Sequence, residues 1–148
     1  MPMKADLWFP TVIWNDHLKD VNNTEIKEYV EKLAEEDKVG KVASNYGGWQ
    51  SKSFELLDQK PLAIERFIHT LQRCLNECTK MAGMPDLIIS DWWWNINYHK
   101  DYNQPHNHRD SVLSGVYYID VPEDSDSKIH FDREDEAQYY LPRYMPQR

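Results

Sequence analysis

Residues 83–98, GMPDLIISDWWWNINY, mark the point where the hydrophobic pattern of the chain changes period. Upstream of this stretch, apolar residues recur every three to four positions, as on one face of a helix. From residue 87 onward they alternate, which places Trp92, Trp94 and Ile96 on the same face of a strand. Helices followed by strands are typical of the α+β class, so we predict an α+β fold.

Two helices are expected before this change of period. The first spans Thr24 to Asp37, where apolar residues share one face and Asn23 or Thr24 can cap the start. The second runs from Pro61 to Ala82 and is ended by Gly83. Residues 44–51 are expected to form a loop. Strands are predicted at residues 7–14, 87–98, 112–121 and 128–132.

The composition restricts the class of protein. The chain has 148 residues and a net charge of −8. This length predicts a single domain over residues 1–148, and the change of period makes it helical over about 1–85 and β-rich over about 86–148. An acidic chain is a poor general binder of nucleic acid or of anionic membranes. No apolar run approaches the ~20 residues of a membrane span. Two helical cysteines form no disulfide framework, so we expect a cytoplasmic protein.

The candidate chemistry lies in a histidine-rich loop. In an extended chain, residues i and i+2 point to the same side, so His106 and His108 could reach one metal ion. Asp110 follows His108 at the same spacing of two residues. Two histidines and one carboxylate are the ligand set of non-haem Fe(II) oxygenases, which leaves positions open for co-substrate and O₂. Such short motifs also occur by chance on surface loops.

Other candidates are weaker. His130 and Asp132 repeat the spacing on a strand edge shared with Lys128, which favours a solvent-facing role. Cys74 and Cys78 fall on the apolar face of the second helix, where cysteine usually acts as a small hydrophobic residue. The sequence contains no phosphate-binding glycine motif.

Several motifs together resemble a family of 2-oxoglutarate/Fe(II)-dependent oxygenases found in marine bacteria, cyanobacteria and their phages. The motifs are LWFPT at 7–11, GGWQS at 47–51, WNIN at 94–97, DYNQPHNH at 101–108 and LSGVYYI at 113–119. Their order along the chain is that of the family, and they span most of the sequence.

The resemblance implies a double-stranded β-helix, or jelly-roll, core with flanking N-terminal helices. It implies Fe(II) held by ligands drawn from His106, His108 and Asp110, with 2-oxoglutarate as co-substrate. The activity implied is hydroxylation of an unidentified substrate coupled to decarboxylation of 2-oxoglutarate. Were the protein encoded by a phage, it would work in the host cytoplasm.

Three further residues, Asn95, Asn97 and Tyr118, would line the barrel interior and contact the co-substrate. The alternative is that they form a hydrogen-bonded polar patch within a sheet.

The chain also departs from the family. No histidine follows His130 to supply the distal ligand, and a jelly roll needs about eight strands. We therefore expect a barrel that is incomplete at its C-terminus, with exposed strand edges that favour pairing with another copy. Two alternatives remain open: a catalytically incompetent barrel fragment or binding module, and a cupin-like metal-binding protein without 2-oxoglutarate chemistry.

Overall fold

Both predicted helices are present in the computed structural model, which describes residues 11–125 and 127–132. Helix α1 spans Asn23–Glu36. Its first turn is capped by Asn22, whose Oδ1 accepts a hydrogen bond from the backbone N–H of Glu25 at 3.4 Å. The cap therefore lies one residue before Asn23 and two before Thr24, the two predicted positions. The inward face of α1 buries Ile26 and Val30.

Helix α2 spans Leu62–Ala82, so it begins one residue after the predicted start at Pro61 and ends where predicted. It ends because Gly83 adopts a left-handed conformation with φ 64°, after which the N–H of Met84 bonds back to the carbonyl of Thr79 at 2.9 Å. Ile64, Phe67 and Ile68 are buried on its apolar face.

In the described part of the chain, six short strands form three antiparallel pairs, which together with the two helices are typical of an α+β fold. They are β1 Asn45–Tyr46, β2 Trp49–Gln50, β3 Phe54–Glu55, β4 Asp91–Trp92, β5 Asn95–Ile96 and β6 Tyr102–Asn103. Strand β1 pairs with β6, β2 with β5, and β3 with β4. The three pairs therefore join the same two stretches of chain, residues 45–55 and residues 91–103.

Several strand predictions are wrong in detail. The predicted loop at 44–51 contains β1 and β2, and the predicted strand at 87–98 is divided into β4 and β5. Residues 112–121 and 128–132 contribute no strand within the described part of the chain, and neither do residues 11–14. Residues 7–10 lie outside the described ranges. Alternation predicts which side chains share a face, but a strand also requires a partner.

A bulge separates β5 from β6. Asn45 pairs with Asn103 and Trp49 with Ile96, so residues 97–101 lie opposite Gly47 and Gly48 alone. A Cβ on Gly48 would lie 2.7 Å from the carbonyl oxygen of Ile96. Only glycine allows the two backbones to approach this closely.

The chain divides into two compact units. The first contains Met1–Lys32 and Lys52–Trp93, and its described core is formed by Ile26, Val30, Ile64, Phe67 and Ile68. Phe54 stacks on Trp92 in this unit, with ring centroids 6.1 Å apart.

The second unit contains Leu33–Ser51 and Trp94–Arg148. Among its described residues, the buried ones are Trp49, Gln50, Ser51 and Trp94. The indole Nε1 of Trp49 donates to the carbonyl of Asp37 at 2.7 Å, and the N–H of Trp94 donates to Ser51 Oγ at 2.9 Å.

Two broader points concern the number of domains and membrane-spanning helices. The prediction of one domain over residues 1–148 stays a prediction. Across the described residues, no helix is both long and apolar enough to cross a lipid bilayer.

Candidate metal site

The loop that carries His106 and His108 begins at the end of β6. The backbone N–H of Gln104 donates to the carbonyl oxygen of Ser44 at 2.8 Å, which extends the pairing of β6 with β1 by one bond. Pro105 follows and has no N–H to continue the ladder. The chain leaves the paired region here, one residue before the first histidine.

The ring of His106 is anchored by a backbone group. Its Nδ1 lies 2.7 Å from the carbonyl oxygen of Gln104. A carbonyl can only accept a hydrogen bond, so Nδ1 carries the proton in this contact. In the neutral imidazole, Nε2 then keeps its lone pair, which is the form that binds a metal ion.

The rings of His106 and His108 face each other edge to face. Their centroids are 4.8 Å apart and their planes meet at 76°. His106 is exposed and His108 is half-buried. Two imidazole nitrogens on one ion lie roughly 3 Å apart, since each metal–nitrogen bond is about 2.1 Å. The predicted pair is thus brought together in the structure.

Asp110 is placed differently from the expectation for an extended chain. The N–H of Ser111 donates to the carbonyl of His108 at 3.1 Å, so the chain turns across residues 108–111. The rule that residues i and i+2 share a side does not apply within a turn. Within residues 11–125 and 127–132, no group of three His, Cys, Asp or Glu is arranged to hold a metal. Ligation by Asp110 stays a prediction.

The three predicted co-substrate contacts lie at the surface. Asn95 and Asn97 are exposed, and Tyr118 is 49% exposed. Asn95 pairs with Gln50 across β5 and β2. The side chain of Asn97 donates to Oδ1 of Asn103 at 3.3 Å. Asn97 lies outside the strands, so contact with a co-substrate and the polar patch within a sheet both stay predictions.

The remaining titratable candidates lie outside this loop. His130 and Asp132 are exposed, in agreement with a solvent-facing role, but no strand edge forms at these described residues. Cys74 and Cys78 are half-buried on α2. Burial raises the pKa of the Cys74 thiol, and the negative charges of Asp16 and Glu77 raise it further. A raised pKa leaves little thiolate near neutral pH, so Cys74 is not an activated nucleophile.

The sequence did not indicate that Asn103 and Ser44 support the segment next to His106. Asn103 Nδ2 donates to Ser44 Oγ at 3.0 Å, in line with the backbone bond between Ser44 and Gln104. Ser44 is far from the histidines in the sequence, and no spacing rule connects it to them. The asparagine within the DYNQPHNH motif was the only available signal.

Comparison with known proteins connects this loop to a reaction class. Residues 91–147 match the model of a family described as "Putative 2OG-Fe(II) oxygenase". The match covers less than half of the chain and contains His106 and His108. No curated protein and no solved structure matches the chain. Residues 91–147 are thus similar to a family of 2-oxoglutarate/Fe(II) oxygenases.

The described residues fit Fe(II) in part. Two neighbouring imidazoles, one with a fixed tautomer, provide the nitrogen donors that such a site requires. A carboxylate third ligand is not assembled beside them in the described ranges.

Proposed function

We propose that this protein is a 2-oxoglutarate- and Fe(II)-dependent oxygenase that hydroxylates a C–H bond of an unidentified substrate. The observation that carries the proposal is the His106–His108 pair, with ring centroids 4.8 Å apart, inside the stretch that matches the oxygenase family model. A jelly-roll core is part of the proposal. The antiparallel pairing of residues 45–55 with 91–103 supports it.

The roles of the residues follow from their chemistry. His106 would bind Fe(II) through Nε2, because Nδ1 is engaged with the Gln104 carbonyl. His108 would supply the second nitrogen, and Asp110 is the proposed carboxylate. Asn95, Asn97 and Tyr118 are the proposed polar contacts for 2-oxoglutarate. When bound, Fe(II) and 2-oxoglutarate together supply the oxidising power for hydroxylation.

Anaerobic titration with Fe(II), followed by calorimetry, tests the ligand assignment. His106→Ala and His108→Ala should each weaken binding by more than about 10-fold, since even loss of a group supporting a ligand costs 10–100-fold. His69→Ala is the matched control: His69 is exposed on α2, in the other unit, and its replacement should leave the affinity unchanged. Equal binding by all four proteins would contradict the site.

The same titration with 2-oxoglutarate present separates the oxygenase from its alternatives. An oxygenase should bind 2-oxoglutarate only when Fe(II) is present, and should form succinate after O₂ is admitted. A cupin-like metal-binding protein would bind Fe(II) without a response to 2-oxoglutarate. A catalytically incompetent fragment would form no succinate with any substrate mixture.

A further inference from the structure

We propose that Asn103 and Ser44 are positioning residues, which hold the Gln104 carbonyl so that His106 presents Nε2 to the metal. The inference rests on the proposed function only in assigning His106 as a ligand. The geometry behind it is a chain of hydrogen bonds that runs from the paired strands to the imidazole ring.

The bond nearest the ring fixes the tautomer. His106 Nδ1 lies 2.7 Å from the Gln104 carbonyl oxygen, and that carbonyl belongs to the amide preceding Pro105. That carbonyl shares a rigid peptide plane with Pro105, and a residue before proline is restricted to extended backbone angles, so holding Gln104 in place limits the directions that its carbonyl can take. Whatever holds Gln104 therefore also holds the acceptor for His106.

Gln104 is held at its other end by Ser44. Its N–H donates to the Ser44 carbonyl oxygen at 2.8 Å, directly beyond the β1–β6 pair. At the edge of a two-residue ladder, a single backbone bond would open readily. A further bond between the same two segments makes this opening less favourable.

Asn103 supplies that second bond. Its Nδ2 donates to Ser44 Oγ at 3.0 Å, and its Oδ1 accepts from Asn97 Nδ2 at 3.3 Å. Both ends of the Asn103 amide are thus used, which fixes its orientation. Asn103 and Ser44 are both half-buried, where such bonds are protected from competition with water.

The tautomer of His106 in the metal-free full chain is the primary readout. Nitrogen-15 NMR of the histidine side chains, at a pH where the ring is neutral, should show the wild-type ring protonated on Nδ1. In Asn103→Ala and in Ser44→Ala, the Nε2-protonated form should appear. Ser44→Thr keeps a hydroxyl group and should restore the wild-type signal.

The second readout is metal affinity, measured by anaerobic Fe(II) calorimetry. Asn103→Ala and Ser44→Ala should weaken Fe(II) binding by about 10-fold, the lower end of the effect of removing groups that orient a ligand. Asn107→Ala is the matched control. Asn107 lies between the two histidines, is exposed, and makes no hydrogen bond to the described residues.

The two readouts keep this inference separate from the proposed function. Absence of Fe(II) binding by the wild type would overturn the proposed function, while the tautomer measurement would still decide the positioning role. Wild-type binding together with an unchanged tautomer and affinity in both alanine variants would overturn the positioning role alone. Should Asn103→Ala fail to fold, Ser44→Ala decides, because it retains the backbone bond to Gln104.

Discussion

Gly48 lies in the bulge before the histidine loop, where a side chain would meet the backbone of the partner segment. Its φ is +61°, and a Cβ there would lie 2.7 Å from the Ile96 carbonyl oxygen. Gly48→Ala should therefore combine a left-handed backbone penalty with a backbone clash. We expect a loss of roughly 2–3 kcal/mol in the free energy of unfolding, measured with urea.

Substitutions at two other glycines separate the cost of the left-handed backbone from the cost of the clash. Gly83 has φ +64° but open space around its Cβ position, so Gly83→Ala should cost only about 1 kcal/mol. Gly115 has neither a positive φ nor a neighbour within 4 Å of that position, and Gly115→Ala should change the unfolding free energy by less than about 0.5 kcal/mol. Equal losses at Gly48 and Gly83 would contradict the close approach to Ile96.

At the residue scale, the sequence predicts chemistry better than it predicts supporting contacts. The proximity of His106 and His108 was predictable because two residues separated by one position remain close in most backbone conformations. The turn that redirects Asp110 was not, because it depends on a backbone bond between Ser111 and His108. The contribution of Ser44 depends on a pairing between distant segments.

Within the elements, Gln72 shows how helix α2 holds an extended segment that has no ladder of its own. Its Nε2 donates to the Leu87 carbonyl at 2.8 Å, and its Oε1 accepts from the Ile89 N–H at 3.0 Å. Gln72→Ala leaves two half-buried backbone groups without these partners. We expect the free energy of unfolding, measured by thermal denaturation, to fall by about 1–3 kcal/mol. Hydrogen exchange at the Ile89 amide should become faster.

A graded pair of variants checks this role of Gln72. Gln72→Glu keeps an acceptor for Ile89 but loses the donor to Leu87, so its stability should fall between wild type and Gln72→Ala. Glu77→Ala is an exposed control on the same helix and should leave Ile89 exchange unchanged. Faster exchange at Ile89 in the Glu77 variant would mean that the whole helix, not Gln72, controls the segment.

The same helix carries a pH-dependent contribution from Cys74. Burial raises its pKa in the folded chain, so the unfolded chain releases this proton first as the pH rises. Folded stability should be constant below the ordinary thiol pKa and should fall as the pH increases through the raised value. Urea unfolding of the Cys78→Ser protein across alkaline pH should show this fall.

A variant without the Cys74 thiol shows how much of the alkaline loss of stability comes from this group. In the double variant Cys74→Ser, Cys78→Ser, the part of the alkaline loss that comes from Cys74 should disappear. Alkylation of Cys74 in the Cys78→Ser protein should also require a higher pH when folded than when unfolded in urea. Identical alkylation profiles in the two states would contradict the raised pKa.

Helices were predictable at this scale because their signals are local. Pro61, the repeat of apolar residues and Gly83 all lie within the α2 region, and the observed limits, Leu62–Ala82, follow them closely. The strands needed information that the local sequence does not contain. Trp49 pairs with Ile96, and neither residue's neighbours specify that partner.

At the scale of the whole molecule, aromatic and β-branched residues did not by themselves produce strands. Residues 112–121 have the strongest strand pattern, yet Val112 and Val116 are 66% and 64% exposed. The paired residues 45–55 and 91–103 have weaker patterns but two glycines and several amides that fit a bulged antiparallel ladder. Compatibility between two segments, more than the propensity of one, determined which parts of the chain are paired.

Hydrogen exchange provides a test of this distribution in the metal-free chain. The amides of Ser51 and Gln104 donate to Trp94 and Ser44 at 3.0 and 2.8 Å, so they should exchange well below their intrinsic rates. Residues 114–116 are exposed and their amides bond to no described residue, so they should exchange close to intrinsic rates. Mass spectrometry with peptide-level resolution can compare the two regions.

Addition of Fe(II) and 2-oxoglutarate under anaerobic conditions extends the test to the proposed jelly roll. Because the predicted strand at 112–121 follows directly after the histidine loop, closure of a barrel around the metal would give its amides partners. We therefore expect protection to appear at residues 114–116 in the wild type and not in His106→Ala. Strong protection before any metal is added would instead mean that this segment is already paired, contrary to the structure. Protection that appears equally in His106→Ala would separate strand formation from metal binding and count against a barrel organised by the His106–His108 pair.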